Sequence, residues 1–371
     1  MYFWFFFNSF IFFIIFFFKK RNIYILWTVL ALFSAFRYNI GADYLQYSFV
    51  FQEILSGNEF FILGSDLFHL ALVYLSGYLE LNFQFVVVIY SFLTALFFYN
   101  GFQYYAKNNL QIIIITLFYI TFLYYTGMNG IRQILAVGIF LYGSRYIIEK
   151  KFLIYLLFIF FATAVHKSAA FLLPLYFLGK IKLNIFVIFF MISLMSLFLI
   201  INPIHYIEIL MIKLNIPFVV YFDYGRFGEP PSVYSKIITF VSILMLLFLK
   251  ILDRKDLLQN IVFNFMLLMM IVKVIALNMD VMGRLALYFR PFNILFFVYI
   301  IIFFINKKPS MKDFIITSSA IAIFFLAILQ LYIIANKSNA YEQFAFNLSV
   351  YGKNNIIQVF GNHKLVKEWE K

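Results

Sequence analysis

The sequence predicts an all-α fold: a polytopic membrane protein with about twelve membrane-crossing helices and one further re-entrant or interfacial segment. Three observations predict it. Of 371 residues, 65% are hydrophobic and only 12% charged, about half the charge of an ordinary soluble domain. Apolar runs of the length needed to cross a bilayer, about 17–25 residues, recur at Ile181–Ile201, Leu257–Leu277, Leu285–Ile305 and Phe314–Ala335. Runs such as IFFIIFFF at residues 11–18 lack the period-two alternation of a membrane barrel strand.

The elements follow in order from where the charges fall. Basic clusters mark cytoplasmic loops under the positive-inside rule. They stand at Lys19-Lys20-Arg21, Lys150-Lys151, Lys180 with Lys182, Arg254-Lys255 and Lys307-Lys308. That placement accounts for the net charge of +13, so no nucleic-acid partner is expected. Tyr2–Phe18 has its basic residues after it rather than before it, the reverse of a cleavable leader, and reads as a retained helix. Ile23–Phe36 and Phe152–Val165 are short spans. Arg37, the stretch Thr126–Gln133, His166, the loop 202–232 and Asn278–Arg284 then lie outside, as do both termini. Arg37 outside and Lys107 inside require an odd number of crossings between them. Two apolar stretches intervene, Leu67–Tyr78 and Asn82–Asn100. The first is too short to span and is expected to enter the bilayer without crossing it. Residues 1–335 form one membrane domain, and 336–371 an external polar tail.

There are no cysteines, which excludes disulfides, thiolate metal sites and a Cys nucleophile. No metal-binding spacing and no nucleotide loop occurs, so neither a metal nor another cofactor is expected. The polar residues are informative by side. Of 8 Arg, five fall outside: Arg37, Arg132, Arg226, Arg284 and Arg290. Guanidinium grips phosphate or carboxylate with a planar fork and stays charged when partly desolvated, so a set of outer-face Arg suits an anionic headgroup. Snorkelling to the interface is the alternative use of such an Arg. Arg132 and Arg284 follow Gly-Met-Asn-Gly and Asp-Val-Met-Gly, turn sequences that place a helix start. His166 ends an apolar helix on the same face and is a candidate general base, since an imidazole titrates at about 6.5. His69 in the short segment, His205 in the long loop and His363 in the tail are weaker candidates. Asp43 could act as a base, orient His166 or pair with an Arg.

Three stretches together resemble the EpsG/Wzy-type family of bacterial polysaccharide polymerases. The first is Arg37-Tyr-Asn-Ile-Gly41-Ala-Asp43-Tyr44-Leu-Gln-Tyr47. The second is Gly130-Ile-Arg132-Gln133, followed by two helices and His166-Lys-Ser168. The third is Gly283-Arg284 through Tyr288-Phe289-Arg290. The resemblance implies an enzyme of the cytoplasmic membrane whose active site faces the periplasm or exterior. It would join undecaprenyl-pyrophosphate-linked oligosaccharide repeat units, with a chain-length regulator and a flippase as partners beside the lipid bilayer. On that reading His166, Arg132, Arg284 and Asp43 are catalytic, and Arg37, Tyr44, Gln133, Arg226, Tyr288 and Arg290 bind substrate. A flippase of lipid-linked sugar and an O-antigen ligase are the alternatives.

Overall fold

The computed structural model describes residues 23–41, 43–201, 256–277 and 280–307, the strands at 344–347 and 356–360, and positions 213, 236, 239, 240 and 243. Among them five helical stretches are long and apolar enough to cross a membrane: Phe83–Tyr105, Asn109–Asn129, Ile131–Ile148, Leu257–Ala276 and Met282–Lys307. Four shorter apolar helices accompany them. The expected spans Tyr2–Phe18 and Phe314–Ala335, and nearly all of loop 202–232 with Arg226, lie outside the described residues.

In chain order the first part comprises α1 (Ile23–Ala35), β1 (Arg37–Tyr38), α2 (Tyr44–Leu55), α3 (Glu59–Gly64), α4 (Leu67–Tyr78) and α5 (Phe83–Tyr105). Next come α6 (Asn109–Tyr119), a π-turn at Ile120–Tyr124, α7 (Tyr125–Asn129), α8 (Ile131–Gly143) and α9 (Arg145–Ile148). Then follow α10 (Phe152–Val165), a 3-10 turn at Lys167–Leu172, α11 (Leu175–Leu178), α12 (Ile185–Ile201), α13 (Leu257–Ala276) and α14 (Asp280–Lys307). Helix α4 occupies the segment expected not to cross. Its 12 residues extend about 18 Å at 1.5 Å per residue, against a hydrocarbon core of about 30 Å.

The chain is not wholly helical. Strands β2 (Phe344–Asn347) and β3 (Ile356–Phe360) join β1 in an antiparallel sheet ordered β1-β2-β3, with Arg37 opposite Phe346. The polar tail thus supplies two strands that hydropathy does not announce.

The contacts divide the chain into two compact units. One holds residues 1–146, 151–173 and 308–371. Its centre is α5, packed along α1 and α8, with α10 on the far side of α8. Glycines permit the close approach. A Cβ on Gly101 would stand 2.7 Å from Leu141 Cγ, and one on Gly143 would stand 2.7 Å from Phe158 Cβ. Small residues serve this purpose in membrane interfaces, where the hydrophobic effect no longer drives association. Polar side chains close the remaining bonds. Trp27 Nε1 donates to Thr116 Oγ1 at 3.1 Å, and the Tyr124 hydroxyl donates to the Leu30 carbonyl at 2.8 Å.

The other unit holds residues 147–150 and 174–307. There α13 packs along α14 and against α12. The side-chain amide of Asn264 donates to the carbonyls of Ile181 at 2.8 Å and Gly179 at 3.0 Å, and Asn260 donates to Ile181 at 3.2 Å. Those carbonyls follow α11, where no helical N–H reaches them, and the two asparagines complete that turn from the neighbouring helix.

Candidate functional site

The residue that organises the site is one the sequence reading passed over. Asp66 stands at the N-cap of α4, where an Asp side chain normally accepts a bond from the first helical turn. It makes no such bond. Its carboxylate, on a residue 4% exposed, turns to three groups brought from two other parts of the chain. Oδ2 accepts from Arg132 Nη1 at 3.0 Å and lies 3.4 Å from His166 Nδ1. Oδ1 accepts the backbone N–H of Lys167 at 3.1 Å. Burial acts to raise the carboxyl's pKa. The His166 contact, the charge of Arg132 and the Lys167 N–H together outweigh it and hold Asp66 below the ordinary carboxylate range.

Local chain geometry explains how the partners arrive. Helix α7 ends at Asn129, Gly130 interrupts it with φ −90° and ψ 63°, and α8 restarts at Ile131. Arg132 therefore projects from the first turn of α8, as the Gly-Met-Asn-Gly sequence suggested. His166 closes α10 in an extended conformation, φ −155° and ψ 115°, after which Lys167–Leu172 winds as a 3-10 turn. The Tyr155 hydroxyl donates to the Leu172 carbonyl at 2.6 Å and ties that turn back to α10. The side chains of Arg132 and His166 are each 23% exposed, so both are partly accessible.

Around this core lie Tyr47, His69 and Tyr90. The Arg132 guanidinium carbon stands 5.2 Å from the centre of the Tyr47 ring. The Tyr47 and His69 rings are 6.4 Å apart, and those of His69 and Tyr90 are 6.1 Å apart.

The Arg37 motif supports this region in a different way from the one expected. Arg37 is 1% exposed, and each of its guanidinium nitrogens already donates to the protein. Nε bonds the Ile40 carbonyl at 3.3 Å, Nη2 the Met128 carbonyl at 3.2 Å, and Nη1 the backbone and side chain of Ser34. Gly41 has φ +104°, and a Cβ there would meet Met128 O and Asn129 Oδ1 at 2.8 Å each. Arg37 and Gly41 thus grip the end of α7, three to four residues before Arg132. Tyr44 is buried, and its hydroxyl donates to Gln84 Oε1 at 3.0 Å; Gln84 in turn donates to the carbonyls of Ala35 and Arg37. The Arg37 guanidinium is thus buried against the chain's own carbonyls and the Ser34 hydroxyl. Asp43 occupies the N-cap position of α2, and the carboxylate that meets His166 is that of Asp66.

The remaining expected residues sit elsewhere. Gln133 is buried beside Arg132 on α8. Arg284, Tyr288 and Arg290 lie on α14 in the second unit, where Tyr288 is buried and Arg284 exposed. Asp280–Gly283 is already the first turn of that helix instead of a turn before it. Among the described residues no group of three His, Cys, Asp or Glu stands together to hold a metal.

Chemically, a carboxylate that accepts from Nδ1 of an imidazole leaves Nε2 with its lone pair, the form able to take a proton. The same carboxylate holds Arg132 by one nitrogen and leaves its other donors available. These are the parts of an acid–base and anion-binding site carried by a polytopic membrane protein. The chain matches the EpsG family over residues 20–351, most of its length, and it belongs to that family. The family is associated with glycosyltransferase-like polymerisation of polysaccharide. No curated protein and no solved structure matches the chain.

Proposed function

We propose that this protein joins lipid-pyrophosphate-linked oligosaccharide repeat units at the outer face of the cytoplasmic membrane. The observation that carries the reading is the Asp66 carboxylate bridging Arg132 and His166. A hydroxyl of the incoming unit gives its proton to His166 Nε2 as its oxygen bonds the anomeric carbon of the growing chain. The bond from that carbon to the lipid pyrophosphate breaks, and its electron pair leaves with the pyrophosphate. Arg132 stabilises the negative charge that accumulates there, the usual largest single contribution of a preorganised donor. Asp66 positions both groups. Arg284 is proposed as a further catalytic residue, and Tyr288, Arg290 and Arg226 as substrate-binding ones. Asp43 is proposed to lie on the acceptor side. Activation comes from the donor's own pyrophosphate, so the reaction needs no nucleotide.

The test is elongation of purified lipid-linked repeat units by the protein in nanodiscs. Longer oligomers are expected from the wild type. Arg132→Lys, which keeps the charge but loses the fork, should fold and make less than a tenth of the polymer. Movement of unchanged units across vesicles would instead mark a flippase. Wild-type chain lengths from Arg132→Lys would remove Arg132 from the mechanism.

A further inference from the structure

Beside the Asp66 cluster, three buried polar groups have no hydrogen-bond partner: both ring nitrogens of His69, the Tyr90 hydroxyl and Arg132 Nε. They are neighbours. His69 stands one turn after Asp66 on α4, its ring beside those of Tyr47 and Tyr90, and Arg132 lies over Tyr47. His69 is 0% exposed and Tyr90 1%.

An unsatisfied buried polar group is costly, and such groups are few in native proteins. Phe in place of either ring would remove the cost at nearly the same shape, and this chain uses Phe 55 times. Two buried aromatic residues that keep their polar atoms unbonded, beside the partly buried Arg132, have the character of a ligand subsite. Their chemistry narrows the ligand. A protonated His69 would be a buried cation next to the Arg132 guanidinium, so the ring is neutral, with one donor nitrogen and one acceptor nitrogen. A phosphate offers only acceptors. It would face the lone pair of His69 and the nearby Asp66 carboxylate. A sugar hydroxyl both donates and accepts, as does the Tyr90 hydroxyl.

We infer that His69 and Tyr90, with Arg132 Nε, form an inner subsite for hydroxyls of a sugar ring, distinct from the position of the pyrophosphate. This rests on the proposed polymerase reading for the presence of a sugar beside His166. His69 is fully buried, so occupancy of the subsite requires the packing around it to open.

The experiment compares two probes on the full chain in nanodiscs: the free oligosaccharide repeat released from its lipid by mild acid, and undecaprenyl pyrophosphate carrying no sugar. His69→Phe should weaken oligosaccharide binding at least tenfold and leave undecaprenyl pyrophosphate binding unchanged, with a thermal midpoint equal to or above that of the wild type. Tyr90→Phe removes one oxygen and should weaken the oligosaccharide at least threefold; it serves if His69→Phe does not fold. Unchanged oligosaccharide binding in both variants would show two core aromatics and overturn the inference. Equal loss of both probes would place the residues in the anion site and overturn it too. Failure of the polymerase reading would show separately, as wild-type protein that binds the oligosaccharide yet never elongates lipid-linked units.

Discussion

Replacing Asp66 by Asn tests the centre of the site with the smallest change of shape. The carboxylate accepts from Arg132 at 3.0 Å, from the Lys167 N–H at 3.1 Å and contacts His166 Nδ1 at 3.4 Å. Hydrogen bonds involving a charged group contribute about 1.5–3 kcal/mol each, but the Asn oxygen still accepts one of the three. Arg132 and His166 can turn to water, their side chains being 23% exposed. The loss of stability is therefore set nearer about 1–2 kcal/mol than the 3–5 kcal/mol of a fully buried broken pair. Activity should suffer more. An amide can present N–H to His166 and impose the wrong tautomer, and positioned general-base catalysis contributes about 10²–10⁴ in rate. A fall in kcat of at least about 100-fold, some 2.7 kcal/mol at 1.36 kcal/mol per tenfold, is expected for elongation of lipid-linked units, with KM changed far less. Asp66→Asn added to His166→Ala should cost little more than His166→Ala alone, because groups that act as a unit are not additive. Ring-nitrogen shifts of His166 should report loss of the Nδ1–H form. A folded Asp66→Asn protein within threefold of wild-type kcat, or a double variant whose losses simply multiply, would refute the reasoning.

Three further outcomes follow from the same geometry. Because the folded-state pKa of Asp66 is depressed, its contribution to stability is complete above the ordinary carboxylate value and is lost as pH falls through the folded value. Thermal midpoints between about pH 6 and pH 3 should therefore fall more steeply in the wild type than in Asp66→Asn; parallel curves would contradict the depressed pKa. Gly41→Ala places a Cβ 2.8 Å from the Met128 carbonyl at a φ of +104°, which is strained by both conformation and contact. It should cost about 1–3 kcal/mol and reduce the yield of folded protein; an unchanged midpoint would mean the turn adjusts freely. Asn264→Leu in the second unit leaves the Gly179 and Ile181 carbonyls short of donors. A loss of about 1–3 kcal/mol should appear in detergent melts, and no loss would show that Asn260 suffices.

How much of this was legible in the sequence depends on the range of the interaction. The short helix Leu67–Tyr78 was readable because its length is a local property. The helix start at Arg132 and the helix end at His166 were readable because a glycine-bounded start and a polar residue ending an apolar run are also local. Asp66 was not, since Ser-Asp before an apolar helix reads as an ordinary cap. Its partners lie 66 and 100 residues away, and only the folded chain shows that the cap bond is forgone. The bonds of Arg37 went unread for a related reason. Hydropathy places an Arg on one side of a membrane but cannot tell a guanidinium facing a ligand from one buried against carbonyls. His69 sat in a segment whose depth was in doubt, and its lack of partners is a property of packing. The strands of the tail went unseen because they are short and β2 pairs with β1 across most of the chain.

That pairing bears on how the protein is made. The edge of β1 at Arg37–Tyr38 stays open until Phe344–Asn347 is available to bond it. Ribosomes add about 5–20 residues per second, so the strand emerges roughly 15–60 seconds after the turn it completes. During that interval the nascent chain carries an uncapped strand edge, which invites wrong partners. Proteolysis of stalled intermediates should cut near residues 37–43 until the tail has been delivered to the same side of the membrane.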